Sequence, residues 1–190
     1  MSKGKGTGGG HGGGIVSGGA GLARGGVELV GAGAAEALAA IHSAGFHALA
    51  QHPIATVRVV QTSTISGEGG SYFTQRVGGQ NQAGIRIQHD PAWTPPQRPA
   101  SFADKAPNAT ERLRRVALHE AGHHAHTVAS QETRAAISRL HTQAKPISRY
   151  GKASEREWVA ESVSAFVRAP AQLQRRDPAG FAAARILVGR

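Results

Sequence analysis

Residues 119–123 read His119-Glu120-Ala121-Gly122-His123, which is an HExxH motif. Residues four positions apart lie on the same face of a helix, about one turn from each other, so both imidazoles can reach one ion. Zinc accepts two histidine nitrogens readily, and the glutamate between them is then placed to take a proton from a zinc-bound water. The motif therefore predicts a helical metal site whose ligands include His119 and His123.

The surrounding sequence supports a helix from residue 108 to about residue 130. Asn108, followed three positions later by Glu111, matches a capping box. The two motif histidines border an apolar stripe formed by Leu113, Val116, Ala117 and Val128. Ligands at the edge of a buried face are positioned where a cleft can form, although histidines satisfied within a core would give the same pattern.

The third ligand must come from elsewhere in the chain. The metzincin continuation is excluded, because His126 and Ala129 stand where that class has Gly and His. His126 lies a full turn beyond His123, which predicts a place outside the ligand set. His124 faces the apolar stripe and is interpreted as a packing residue. With no cysteine in the chain, a thiolate ligand is also excluded.

A carboxylate can be supplied by residues 148–168, which read SRYGKASEREWVAESVSAFVR. Ser154 is a candidate N-cap for a helix that places Glu157 and Glu161 on one face. Either glutamate could complete a His-His-Glu zinc site, with the other in the surrounding shell. Glu157 also has a simpler interpretation as the capping partner of Ser154.

HEAGH together with the downstream YGKASEREWVAE resembles the zinc-binding half of the catalytic domain of anthrax lethal factor, a gluzincin metallopeptidase. It is similar also to peptidase-like domains of phage head-morphogenesis proteins and bacterial toxins. The resemblance covers about residues 108–168. It implies that Glu157 is the third zinc ligand, Glu120 the general base and Glu161 a second-shell carboxylate. It also implies that the hydroxyl of Tyr150 stabilises the oxyanion, although Tyr150 could instead be a packing residue.

The rest of the chain divides into three parts. Residues 1–26 hold 13 of the 26 glycines and are expected to form a flexible tail. Residues 27–97 are predicted to form a helix and a small antiparallel sheet, and residues 98–190 a helical half that carries the zinc site.

In the first half, a helix is expected over residues 34–51 and strands over residues 56–61, 71–77 and 84–88. The last of these strands could pair with extended peptide as an edge strand. Prolines mark a connector over residues 90–107, and further helices are expected at residues 131–143, from residue 154 to residue 168, and from Asp177-Pro178 onward.

The charge balance of 22 basic and 12 acidic residues gives a net charge of +10. Most of the excess lies in residues 98–190, which makes nucleic acid a possible partner, although a solvated basic surface would have the same composition. No apolar run is long enough to span a membrane, and no signal peptide is recognised. A soluble protein, cytoplasmic or virion-associated, is therefore expected.

These observations predict an α+β, zincin-like metallopeptidase with Zn²⁺ as cofactor and a peptide or protein as substrate. The alternative is an assembly protein of a phage particle, toxin or secretion system that keeps a zinc site for folding. A solvent-connected site would favour the peptidase, whereas burial of the zinc against a partner would favour the assembly role. Nucleic-acid binding through the basic half is a third hypothesis and would show a steep dependence on salt.

Overall fold

The computed structural model describes residues 21–22, 27–64, 69–97, 101–103 and 105–189. The strands are β1 (Gly21–Leu22), β2 (Glu28–Val30), β3 (Ile54–Gln61), β4 (Gly70–Val77) and β5 (Gln80–His89). The helices are α1 (Ala34–Ala44), α2 (His47–Gln51), α3 (Ala109–Val128), α4 (Gln131–His141), α5 (Glu155–Arg168), α6 (Pro170–Arg176) and α7 (Pro178–Val188), with a 3₁₀ turn at Tyr150–Lys152. The described part of the chain is therefore α+β, as predicted.

The sheet is mixed, so the prediction of an antiparallel sheet is wrong. Its strand order is β1-β2-β3-β5-β4, in which β2 is parallel to β3 and β3 is parallel to β5, while the two outer pairs are antiparallel. The strands β4 and β5 form a hairpin through Gly78 and Gly79, both of which have positive φ, the conformation that tight hairpins need. The hairpin is oriented so that its second strand, not its first, meets β3.

Side-chain polarity explains this order. Ile85 and Ile87 of β5 are fully buried, which suits a central strand, whereas β4 carries Thr74, Gln75 and Arg76 and suits an edge. The segment at residues 84–88, expected at the edge, consequently lies inside the sheet between β3 and β4. The strand at that end of the sheet is β4.

The first half of the chain differs from prediction in two further places. The helix expected over residues 34–51 is two helices, because Gly45 adopts a left-handed conformation (φ 70°) that caps α1. Gly21–Leu22, within the predicted tail, pairs with β2. The other residues of that tail, 1–20 and 23–26, lie outside the described residues.

The helical half follows the prediction closely. The side chain of Asn108 caps α3 and that of Ser154 caps α5, each by accepting the backbone N–H three residues on. The helix α3 packs against α1, α5 and the strands β4 and β5, so it is the element that joins the two halves. Pro170, expected only to stop α5, begins the additional helix α6, because proline is favoured in the first turn of a helix.

Asp177 connects three elements of this half. Its side chain is fully buried and accepts hydrogen bonds from the indole N–H of Trp158 at 2.6 Å and from the backbone N–H groups of Lys145 and Gly180 at 3.1 Å. It thereby caps α7, anchors the segment after α4 and fixes the fully buried indole of α5. These contacts hold the helix α5, which carries Glu157 and Glu161, against α7 and the segment after α4.

The substitution Asp177→Ala is expected to lower the free energy of unfolding by about 3 kcal/mol or more, because three N–H donors, two of them buried, lose their acceptor. Urea denaturation monitored by circular dichroism measures this loss. Asp90→Ala, which removes a single exposed bond to the N–H of Ala92, is the control and should change stability by less than about 1 kcal/mol. Equal losses in the two variants would contradict the role given to Asp177.

None of the helices in the described ranges combines the length and apolar character that crossing a membrane requires.

Candidate metal centre

The helices α3 and α5 bring two histidines and one glutamate together. His119 and His123 lie one turn apart on α3, both nearly buried, and Glu157 extends toward them from the first turn of α5. The Oε2 atom of Glu157 lies 3.2 Å from Nε2 of His119 and 3.4 Å from Nε2 of His123. The structure thus brings together the ligands predicted from sequence.

Gly122 sets the distance between the two helices. A Cβ atom added to Gly122 would lie 3.0 Å from Cα of Ala160 and 3.2 Å from Cβ of Val163, so the helices approach each other where a side chain is missing. The contact lies next to His123 on one helix and next to Glu161 on the other. The close approach therefore determines how far the carboxylates of α5 stand from the imidazoles of α3.

The spacing of the three side-chain atoms suits a small metal ion. Zinc binds nitrogen and oxygen ligands at about 2.0–2.2 Å in tetrahedral geometry, which places neighbouring ligand atoms about 3.4 Å apart. The distances from Glu157 to the two histidines are 3.2 and 3.4 Å, and the three ligand atoms lie within 4.8 Å of one another. The group could hold a metal ion by its donor set and its dimensions.

The orientation of His119 is fixed from its other ring nitrogen. Nδ1 lies 3.1 Å from Oε1 of Glu161, and a neutral ring that donates this hydrogen bond presents the lone pair of Nε2 to Glu157. Two electron-rich atoms 3.2 Å apart repel each other unless a proton or a metal cation lies between them. The arrangement therefore favours a cation at this position.

Glu161 is itself held as a carboxylate. Burial alone would raise its pKa, but the hydrogen bond and charge of His119, the guanidinium of Arg115 at 3.9 Å and the hydroxyl of Ser148 outweigh burial, and the net pKa lies below its usual range. A buried carboxylate that stays ionised is a suitable partner for the Nδ1–H of a ligand histidine. The sequence-based assignment of Glu161 beside the ligand set agrees with this geometry.

The pKa values of Glu157 and His123 are also shifted from their usual ranges. In the absence of a metal, a protonated His119 can donate from Nε2 as well, and this hydrogen bond together with that of His123 holds the pKa of Glu157 well below its usual range. Burial lowers the pKa of His123, although its contact with Glu157 opposes this change. Arg156 donates a hydrogen bond from Nε to Nδ1 of His123 at 3.3 Å, which leaves the ring proton on Nε2 in this arrangement. A metal ion would displace that proton, so metal binding is expected to weaken at low pH.

The two residues with predicted catalytic roles occupy different environments. Glu120 is 1 % exposed, and its carboxylate lies directly against Gly70 at the start of β4, where no side chain intervenes. The general-base role predicted for Glu120 requires access to water, whereas its side chain is covered by the edge strand. Tyr150 is 44 % exposed, and its ring centroid lies 6.4 Å from that of His119 in an edge-on arrangement.

The remaining histidines of α3 behave as expected. His124 is buried, with Nε2 2.7 Å from the carbonyl of His52 and Nδ1 3.3 Å from the hydroxyl of Tyr72. It is a packing residue that links the helix to the sheet. His126 lies outside the ligand group and faces Glu155 at 3.5 Å.

Four residues at the site were not identified from the sequence: Gly70, Arg115, Ser148 and Arg156. Arg156 stands between the glutamates at positions 155 and 157, and Ser148 lies two positions before Tyr150. For these two residues, the available signal was their closeness in sequence to residues already predicted to form the site. For Gly70 and Arg115 no local pattern indicates a role, because their contacts depend on how distant elements pack.

The substitution Glu161→Ala is expected to weaken metal binding by about 10- to 100-fold, because His119 loses the partner that fixes its tautomer and orientation. Competition with a chromophoric chelator measures the affinity. Glu132→Ala, on the first turn of α4, removes a charge away from the site and should leave the affinity unchanged. An unaltered affinity in the Glu161 variant would contradict the role assigned to this carboxylate.

No protein-family model matches the chain, and neither a curated protein nor a solved structure matches it.

Proposed function

We propose that the protein is a zinc-dependent peptidase of zincin-like fold. The observation that carries the proposal is the convergence of three side-chain atoms from two helices distant in sequence. One carboxylate oxygen of Glu157 lies 3.2 Å from an imidazole nitrogen of His119 and 3.4 Å from one of His123. Two nitrogens and one oxygen are a donor set typical of catalytic zinc in peptidases.

The accessibility of the site supports a catalytic role over an assembly role. The ligand group comprises three side chains in the described part of the chain, and a catalytic zinc keeps its fourth position for water. The side chain of Glu157 is 24 % exposed and Tyr150 is 44 % exposed, so solvent reaches the rim of the centre, while Oε2 of Glu157 and Nε2 of His119 are themselves buried. A zinc site kept only for assembly would be expected to have a fourth protein ligand or to be sealed.

Zinc held here would supply Lewis-acid polarisation of a peptide carbonyl and activation of a water. Glu120 would be the general base, taking a proton from the attacking water and returning it to the leaving amine. The hydroxyl of Tyr150 donates a hydrogen bond to the developing oxyanion. Glu161 keeps His119 in the tautomer that presents Nε2 to the metal, and Gly70 keeps bulk water away from Glu120.

The edge strand β4 offers a surface for an extended peptide. It lies at one end of the sheet and packs against α3, with Gly70 in contact with the carboxylate of Glu120. A peptide that adds to this edge through main-chain hydrogen bonds would lie beside the proposed general base. This assigns to β4 the role first expected of residues 84–88.

Elemental analysis of protein purified without chelator tests the proposal, together with hydrolysis of an unbiased peptide mixture followed by mass spectrometry. We expect about one equivalent of zinc per chain and cleavage that 1,10-phenanthroline stops and added zinc restores. Less than about half an equivalent of zinc, or a zinc-loaded protein that cleaves nothing in the mixture, would contradict the proposal and favour the assembly role.

A further inference from the structure

A basic pocket lies on the surface next to the segment that leads into α5. Its volume is about 400 Å³, and it is lined by Lys145, Pro146, Ile147, Lys152 and Arg176. Three of these five residues are cations, and none is acidic. We refer to it as the Lys145–Lys152 pocket.

The acidic residue that follows Arg176 in the chain forms no ion pair with these cations. Asp177 follows Arg176 directly, but it is fully buried, and its oxygens accept N–H groups of Trp158, Gly180 and the Lys145 backbone. Lys145, Lys152 and Arg176 form no ion pair with the acidic residues that the structure describes. The guanidinium of Arg176 instead lies over the ring of Phe102, 5.5 Å from its centroid.

The pocket and the candidate metal centre share one short segment, residues 145–152. Lys145 and Lys152, at its two ends, line the pocket, while Ser148 bonds to Glu161 and Tyr150 lies beside His119. The segment is held in place internally, since the N–H of Gly151 donates to the hydroxyl of Ser148 at 3.0 Å. Gly151 is also buried against Pro146 and Trp158.

We propose that the Lys145–Lys152 pocket binds an Asp or Glu side chain of the peptide at the metal centre. Reading that peptide as a substrate rests on the proposed function. A carboxylate matches the pocket in charge and can accept N–H groups from Arg176 and either lysine. The pocket would therefore select substrates with an acidic residue near the cleaved bond.

The shape and lining of the pocket favour a peptide over a nucleic acid. A nucleic-acid strand carries a phosphate at every nucleotide and is bound along an extended basic track, with aromatic side chains for the bases. The pocket is compact, and no aromatic residue lines it. Lys152 also lies two residues after Tyr150, so the segment that lines the pocket continues to the residue beside His119.

The test measures binding by fluorescence anisotropy, using the full chain with Glu120→Gln so that the peptide is not cleaved. The probes are a short fluorescein-labelled peptide of alternating Glu and Ala and its counterpart of alternating Gln and Ala. We expect the Glu peptide to bind more tightly and the double substitution Lys145→Glu/Lys152→Glu to weaken it by about tenfold or more. The milder Lys152→Gln variant should weaken it in the same direction.

Arg175→Glu is the matched control, because Arg175 is exposed beside Arg176 but does not line the pocket. A loss of affinity in this control equal to that in the double variant would overturn the proposal in favour of general charge attraction. Tighter binding of a single-stranded DNA oligonucleotide, with the same dependence on Lys145 and Lys152, would overturn it in favour of nucleic acid.

This readout separates the two proposals, because it needs no hydrolysis. Lysine-dependent binding of the Glu peptide by a protein without zinc or peptidase activity would support the pocket and refute the proposed function. Hydrolysis by the chain without the Glu120 change, at equal rates for Glu and Gln peptides, would support the proposed function and overturn the pocket.

Discussion

Replacing Glu120 by Gln is expected to lower the rate of peptide hydrolysis by about 10³-fold while zinc stays bound. Glutamine keeps the shape of the side chain in its buried position against Gly70, but it cannot take a proton from water. The ligand atoms belong to other residues, so the metal content should not change. Single-turnover hydrolysis combined with elemental analysis measures both quantities on one preparation.

Glu111→Gln is the control for this experiment. Glu111 lies in the first turn of α3 and pairs with Arg114, so the same chemical change occurs on the same helix outside the site. The control should retain full activity. Hydrolysis that survives in a fully zinc-loaded Glu120 variant would discard the mechanism, because the general base would then have to be another group.

The substitution His123→Ala is expected to abolish zinc binding and hydrolysis together. It removes one of three ligand atoms, so the loss of affinity should exceed the range of about 10- to 100-fold that outer partners produce. Isothermal titration of zinc into the metal-free protein measures the change. Because a bound metal stabilises only the folded state, the increase in melting temperature on adding zinc should also disappear.

His126→Ala provides the comparison, since it removes a histidine from the same helix that faces Glu155 outside the ligand group. This variant should bind zinc like the unaltered chain. If the two variants bound zinc equally well, the ligand set would be wrong, whatever the outcome of the hydrolysis assay.

Local sequence signals were sufficient for the two helices that carry the site, α3 and α5, and for part of the site itself. The HExxH spacing, with the cap at Asn108, placed His119 and His123 correctly on one helix face, because helical geometry relates residues four apart. The cap at Ser154 located α5 in the same way. The choice of Glu157 over Glu161 came from the family resemblance, and the geometry agrees with it in placing Glu157 next to the imidazoles.

The sheet could not be predicted equally well, because strand order depends on contacts between distant segments. Gly-rich turns indicated hairpins, but nothing local shows that β5 folds inward to meet β3 in parallel. The burial of Glu120 was missed for the same reason, since it depends on the packing of Gly70 against α3. The helix α6 was missed because Pro170 can either stop a helix or begin one.

The missing side chain at Gly122 bears on the size of the cation that the proposed centre can hold. The spacing of the proposed ligand atoms depends on how closely the two backbones pack as well as on side-chain rotamers, so the close approach is expected to favour a small ion over a larger one such as Ca²⁺. A residue as bulky as valine at this position would widen the triangle of ligand atoms. If the centre binds a metal, its discrimination by ionic size would therefore depend in part on how these two helices cross.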